Sequence, residues 1–327
     1  MFEAAFLKSI KFILSLAALA GVYCLGPVVD YPPIHLSHET ELPQRLGDLE
    51  KWLDKRESAF EFIKPQNEQL VVWASEKKEQ TPWSIVYIHG FSSSRLETAP
   101  LTQEIAKKLK ANVFYTRLTG HGQHAADLAQ ATPQDWVKDY LLALDIGHLL
   151  GEKVLIISCS TGSTIATLAS ETAQAHFTQA HVFISPNFGP KDKRAEIILL
   201  PWGKEIAQWI EGKTHQSGVA DPAEELAWYN AYPTEALFPM MYLVKFARQS
   251  TLKDFKHPLL VLYSERDQVV DVTEIKAAFS LMGSSQKQML NVEYSDSKNQ
   301  HVLAGSIKAP KAVEPLSQEI LKWVQTL

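Results

Sequence analysis

Cysteine is nearly absent from this 327-residue chain. Cys24 and Cys159 allow at most one bridge, so a scaffold built on disulfides is excluded. Charge of one sign is equally scarce: 32 Lys and Arg stand against 37 Asp and Glu, a formal charge of −5. No basic field for nucleic acid results, and no acidic run is long enough to be an interaction tail. A mean hydropathy of −0.12 excludes a polytopic membrane protein while leaving room for one apolar segment. Internal repeats and low-complexity tracts are missing as well. What is present is ordinary globular composition, 46% hydrophobic and 21% charged, in a chain long enough to bury a large core.

The one long apolar run covers residues 12–29 (FILSLAALAGVYCLGPVV), 18 uncharged residues after Lys8 and Lys11. As a helix it would reach about 27 Å, close to the ~30 Å of a bilayer core. With lysines before it and Asp30, Glu39 and Glu41 after it, the positive-inside rule predicts a signal-anchor. That would hold the bulk of the chain outside the cytoplasm, periplasmic or extracellular, with the membrane as a partner through residues 12–29. Two alternatives stand beside it: cleavage after Ala20, which would release a soluble exported protein, and a helix buried in or docked on the fold. Tyr23 is too bulky for lipoprotein processing at Cys24.

Residues 31–64 read as a Pro-rich tether and an amphipathic lead-in helix over 45–60. Beyond them, apolar β-branched runs recur at 69–74, 84–88, 113–118, 153–158, 180–185, 258–264 and 289–294. Helix-length stretches at 99–110, 134–150, 161–175, 273–282 and 315–326 separate most of them. This alternation predicts an α/β fold with a mostly parallel sheet and helices on both faces. No helix divides the first two strands, and residues 76–79 read as the loop of a hairpin. The aromatic-rich interval between two core parts, 65–190 and 257–327, is too long for one crossover and reads as a helical cap over 191–256.

Residues 153–162 (KVLIISCSTG) place Ser160 between an apolar strand and a helical stretch, with Ser158 and Gly162 two positions away on either side. A nucleophile elbow needs small residues there, because a sharp turn brings strand and helix together beneath the exposed serine. The usual first glycine is Ser158 here. Acyl transfer also needs two N–H donors for the oxyanion. Thr161, after the nucleophile, supplies one; Phe91, after His89-Gly90 at the end of an earlier strand, is placed to supply the other. The serine requires a base, and among 11 histidines only His301 follows the last strand. Its carboxylate partner should follow the preceding strand, where Asp267 is the best placed, Glu265 competes, and Asp271 suits a helix cap. The order Ser160, Asp267, His301 is the one expected for this topology.

On these residues, with Arg117-Leu118-Thr119-Gly120-His121-Gly122 and Glu265-Arg266-Asp267-Gln268-Val269-Val270, the stretch 65–327 resembles the α/β-hydrolase superfamily. It looks most similar to the monoacylglycerol-lipase and serine-aminopeptidase-like branch. The resemblance implies a carboxylic ester hydrolase acting through a Ser-His-Asp triad without a cofactor. It also implies a structural role for the Gly120–Gly122 loop.

Weaker signals have blander explanations. Cys159 should point into the protein, and His121 with His124 lacks a third metal ligand, so no metal is expected. Arg95 and Glu97 either touch substrate or are solvated. Trp202, Ile206, Trp209 and Ile210 fall on one helical face. Trp202, Trp209 and Trp228 are accordingly candidate pocket residues, packing against the sheet being the plainer account. The expected substrate is a small ester or lipid with a hydrophobic acyl chain, such as a monoacylglycerol or lysolipid. Rival readings are a peptidase using Glu205, Glu211, Glu224 or Glu225 for an amino terminus, an acyltransferase, and a non-catalytic binding module. Oligomeric state has no signature.

Overall fold

A computed structural model describes residues 2–37, 40–170, 172, 175, 178–217 and 222–327. Glu39, one of the expected flanking acids, and part of the helix expected to reach 175 lie outside these residues.

The apolar run at the amino terminus does not become one helix. Helix α1 (Phe2–Cys24) stops ahead of Gly26-Pro27, so its uncharged part, residues 12–24, covers about 20 Å against a ~30 Å hydrocarbon core. Among the described residues no helix is long and apolar enough to cross a membrane. The expected signal-anchor, and with it the membrane-held placement of the chain outside the cytoplasm, is therefore overturned. The residues after α1 instead lie on the fold. Trp202 donates its backbone N–H to Pro27 O at 2.8 Å and its indole N–H to Val22 O at 3.2 Å. Val29 packs beside Ile198, Phe238 and Met241.

The lead-in helix α2 (Leu49–Glu57) buries Leu49 and Leu53. After β1 (Leu70–Val72) and β2 (Thr81–Ile88), the chain runs through α3 (Leu101–Leu109), β3 (Asn112–Tyr115), α4 (Pro133–Leu150), β4 (Gly151–Cys159), α5 (Thr161–Leu168) and β5 (Thr178–Ile184). An insertion of α6 (Gly203–Glu211), β6 (Thr214–Gln216), α7 (Pro222–Ala227), β7 (Ala231–Pro233) and α8 (Leu237–Gln249) follows. The chain closes with β8 (Leu259–Tyr263), α9 (Val272–Leu281), β9 (Lys287–Asn291) and α10 (Val313–Val324). The main sheet has the order β1-β3-β2-β4-β5-β8-β9, parallel throughout except for β1. This is the mostly parallel α/β sheet that the alternation predicts. The expected hairpin is corrected: β1 pairs antiparallel with β3, Leu70 opposite Tyr115, so residues 73–80 reverse the chain but carry it past β3 to β2 instead of closing a hairpin between neighbouring strands.

Period-two alternation along the strands builds two cores. Val86 and Ile88 of β2 face the side covered by α4, α5, α8 and α9, together with Ile156, Phe183 and Val261. Ile85 and Tyr87 face the other side, where Leu101 and Ile105 of α3 meet Leu316 and Ile320 of α10. Each such side chain contributes about 1.5–3 kcal/mol on burial. Helix α4 starts on a capping box between Thr132 and Asp135, with Pro133 in its first turn. Leu243 and Ala247 of the inserted α8 join the first core. The insertion is thus tied to the sheet, and its small β6–β7 ribbon is separate from it.

Candidate active site

Ser160 sits on the single residue between β4 and α5, at φ 51° and ψ −118°. Such backbone costs a non-glycine residue on the order of 1–3 kcal/mol and persists only where packing enforces it. Packing does so here. A Cβ at Gly162 would lie 2.5 Å from Ile88 O and 2.7 Å from His89 O, so the first turn of α5 rests directly on the end of β2. On the other flank Ser158 replaces the usual glycine without strain. Its hydroxyl shares a 2.9 Å hydrogen bond with that of Ser163, which also donates to Ser158 O at 3.1 Å. The elbow is closed by Ser160 N–H donating to Ile184 O at 2.9 Å and by Asn187 N–H donating to Ser160 O at 3.1 Å.

The carboxyl ends of β8 and β9 bring the other two residues of the expected triad together. His301 Nδ1 lies 2.9 Å from Asp267 Oδ2, and both residues are buried. Asp267 Oδ1 accepts the N–H groups of Val269 at 2.7 Å and Val270 at 3.0 Å. A carboxylate facing Nδ1 makes that nitrogen the proton carrier, which leaves Nε2 as the acceptor. Ser185 Oγ donates to His301 O at 2.7 Å and holds the loop. Glu265 points elsewhere, toward Lys276 at 2.6 Å and the Tyr263 hydroxyl at 3.0 Å. Asp271 caps α9, its side chain accepting Thr273 N–H.

The loop after β2 is braced by three side chains. Gly90 N–H donates to Glu97 Oε1 at 2.7 Å, and Ser92 N–H to His121 Nε2 at 3.1 Å. His89 Nε2 accepts Leu118 N–H at 3.1 Å, while its Nδ1 bonds Gly90 O at 2.9 Å. Burial pushes His89 down to about 4 and His121 well below the ordinary imidazole value, so both are neutral near pH 7. They brace the loop; His124 instead stacks its ring on Phe62 at 4.7 Å. A further Cβ on Gly90 would come within 3.2 Å of Ser160 Cβ, so this loop lies against the serine.

Ser160, His301, Phe91 and Thr161 line one cavity of ≈ 330 Å³. Its walls mix apolar Leu237, Met240 and Val302 with polar Asn187, His215 and Lys308. Of the three tryptophans named as pocket candidates, Trp228 lines it, whereas Trp202 and Trp209 do not. Trp202 meets the chain after α1, and Trp209 is 86% exposed on α6. The helical spacing that paired them describes a face turned from the cavity. Tyr232 and Met240, which do line it, carry no local signal of their role. Of the two residues following the loop, Arg95 pairs with Glu68 at 3.2 Å, whereas Glu97 is buried and reaches the cavity.

The chain matches the family described as serine aminopeptidase, S33 (Hydrolase_4) over residues 79–293. A thermostable monoacylglycerol lipase of Bacillus sp. (strain H-257) is 24% identical over 218 residues, 66% of this chain and 83% of that protein. Among solved structures, that of the metagenome-derived lipolytic enzymes LipS and LipT superposes with a TM-score of 0.64 at 19% identity, covering 81% of this chain and 100% of that one. The monoacylglycerol lipase of Paleococcus ferrophilus gives 0.57 at 13% identity, over 79% and 98% of the two chains. A soluble variant of the Saccharomyces cerevisiae monoglyceride lipase gives 0.57 at 11%, over 79% and 91%. Likeness at these identities shows a common fold, with a mostly parallel sheet surrounded by helices.

Proposed function

We propose that this chain, which belongs to the serine aminopeptidase (S33) family of α/β hydrolases and is an enzyme acting on esters, works through Ser160, His301 and Asp267. The observation that carries the proposal is the 2.9 Å contact of His301 with Asp267 in the cavity that also holds Ser160 at φ 51°. Ser160 Oγ attacks the ester carbonyl carbon as His301 Nε2 takes the hydroxyl proton. The N–H groups of Phe91 and Thr161 receive the oxyanion, and Asp267 stabilises the imidazolium. Collapse returns the proton to the departing alcohol and leaves an acyl-enzyme. Water, deprotonated by His301, attacks that ester; the acid departs and Ser160 recovers its proton. None of these steps draws on a cofactor.

The substrate proposed is an ester of a hydrophobic acyl chain, monoacylglycerol or lysolipid in type. Leu237, Met240, Val269 and Val302 offer the chain an apolar wall, and Asn187, Ser217 and Asn230 offer a head group hydrogen bonds. In this reading residues 65–190 and 257–327 are the hydrolase core and 191–256 its cap. Residues 31–64 are the tether and lead-in helix. Glu224 lines the cavity too, but it pairs with Lys308, which lessens its appeal as an acceptor for a peptide amino terminus. The test is a panel of short esters, long-chain monoacylglycerols, lysophospholipids and aminoacyl arylamides on the full chain, Ser160→Ala and His301→Ala. Loss of ester hydrolysis and of fluorophosphonate labelling in Ser160→Ala is expected. Activity retained there sinks the assignment, and a preference for arylamides moves the substrate class to peptides.

A further inference from the structure

Glu97 is a carboxylate where a carboxylate is costly. It is 2% exposed on the short turn Arg95–Thr98, beyond the loop that carries Phe91. Its Oε1 accepts two donors, Gly90 N–H at 2.7 Å and the hydroxyl of fully buried Tyr87 at 2.8 Å. Its Oε2 lies 3.2 Å from where a Gly90 Cβ would stand, the same distance as Ser160 Cβ. The backbone of the turn is engaged on its other side. A Cβ at Gly305 would sit 2.4 Å from Glu97 O, and Ser306 N–H donates to Ala99 O at 2.6 Å. Gly305 and Ser306 belong to the loop that carries His301. Glu97 therefore touches both loops that complete the site.

We infer that Glu97 is a positioning residue, holding the Gly90 peptide so that the next N–H, that of Phe91, is aimed at the oxyanion. The inference rests on the serine-esterase reading above. Alternate N–H groups of the loop already have partners, Gly90 in Glu97 and Ser92 in His121, and Phe91 between them faces the cavity. The Phe91 N–H shares its peptide plane with Gly90 C=O, which His89 Nδ1 holds at 2.9 Å, while Glu97 holds the preceding plane at Gly90 N–H. The two planes meet at a glycine, whose φ and ψ no side chain restricts, so losing the Glu97 bond frees the first plane to turn and shift the second. A carboxylate suits this role better than a neutral acceptor, since a charge-assisted hydrogen bond is roughly twice as strong. Burial pushes the carboxyl up from its ordinary value, while Gly90 N–H, the Tyr87 and Ser93 hydroxyls and the nearby His301 draw it back down.

The experiment compares the full chain with Glu97→Gln, Glu97→Ala and Ser160→Ala. It measures kcat and KM per fluorophosphonate-titrated site, and affinity for a trifluoromethyl ketone that adds to the nucleophile and forms an oxyanion. Glu97→Ala is expected to lower kcat by roughly 10²–10³, the usual effect of losing one oxyanion donor, with KM changed less than about 3-fold. Glu97→Gln, whose amide oxygen can still accept Gly90 N–H, is expected to lose about 10-fold. Ketone affinity should fall in step with kcat/KM across the series. A purely structural role would lower the melting temperature and the titrated fraction but leave kcat per site intact. Intact kcat per site in both variants, or ketone affinity that does not follow kcat/KM, overturns the inference. If Glu97→Ala does not fold, unchanged ketone affinity in Glu97→Gln is sufficient to overturn it. Activity surviving Ser160→Ala removes the esterase reading itself, whereas loss there with full activity in the Glu97 variants removes only the role of Glu97.

Discussion

Asp267 divides its carboxylate between a ring and the backbone: Oδ2 lies 2.9 Å from His301 Nδ1, and Oδ1 takes the N–H groups of Val269 and Val270. The two backbone bonds lock the carboxylate plane, so the imidazole is oriented by a group that is itself unable to swing. In the proposed mechanism Asp267→Asn presents an amide to Nδ1 and favours the wrong tautomer. Its kcat should fall by roughly 10³–10⁴. Glu265→Gln, altering a residue tied to Lys276 at the surface, should stay within about 3-fold of the parent. Steady-state ester hydrolysis by the two variants decides the matter, and the reverse ranking would transfer the role to Glu265.

Gly162→Ala should be poorly tolerated. Its new methyl meets the carbonyl oxygens of Ile88, the last residue of β2, and of His89 just after it, backbone atoms held by the sheet. A cost of about 1–3 kcal/mol is expected from such overpacking, with a kcat loss because the serine moves with the turn. Ser158→Gly removes only the hydroxyl pair with Ser163, so about 1 kcal/mol and near-parental kcat are expected. Urea denaturation alongside kinetics measures both; parental stability and kcat in Gly162→Ala would contradict the packing argument.

Arg117 and Glu57 form a bidentate pair at 2.9 and 3.1 Å, and Arg117 also donates to His121 O at 3.2 Å. The guanidinium side chain is only 4% exposed, so Glu57→Ala leaves a buried cation without its partner. A loss of roughly 3–5 kcal/mol is expected on the precedent of buried pairs broken on one side. Chemical denaturation checks it, and a change under 1 kcal/mol would mean that water replaces the carboxylate.

Asp139, whose carboxylate accepts Thr119 N–H at 2.6 Å, is pushed up to about 6 by burial, against its ordinary 3.8. A raised carboxyl disfavours the ionised fold. Its contribution to stability is thus fully present below the unfolded value near 4 and lost as the pH rises through about 6. Asp139→Asn keeps an acceptor for Thr119 N–H but has no proton to lose. The stability of Asp139→Asn relative to the parent should therefore rise between pH 4 and pH 6 and level off above. Melting temperatures of both proteins across that range supply the measurement, and a difference independent of pH would refute the assignment.

How much of this was legible beforehand depends on how local each cause is. The elbow could be read because strand, serine and helix are contiguous, and small residues two positions away are a steric requirement written into ten residues. The pairing of Asp267 with His301 could be read from topology, because adjacent parallel strands β8 and β9 end side by side. The partner of β1 could not: its choice of β3 over β2 depends on how residues 73–80 pass over the sheet edge. Hydropathy counted residues 25–29 with the helix before them, whereas Gly26-Pro27 ends α1 and Trp202, distant in sequence, takes the chain beyond it. Glu97 reads in sequence as a residue that either meets substrate or is solvated, since nothing near it announces that Gly90 N–H and Tyr87 converge on it. Trp209 failed for a related reason, as an apolar helical face states that something is covered without stating by what.

The insertion is joined to the loop after β2 by a direct bond, Tyr229 N–H donating to Ser92 O at 2.8 Å. The Tyr229 hydroxyl also bridges both backbone groups of Gln123, at 2.6 and 2.7 Å. In the proposed mechanism the part that shapes the cavity and the part that polarises the carbonyl are therefore one mechanical unit. Grafting this segment between homologues would not exchange substrate range like a detachable fitting; each transplant would also retune turnover.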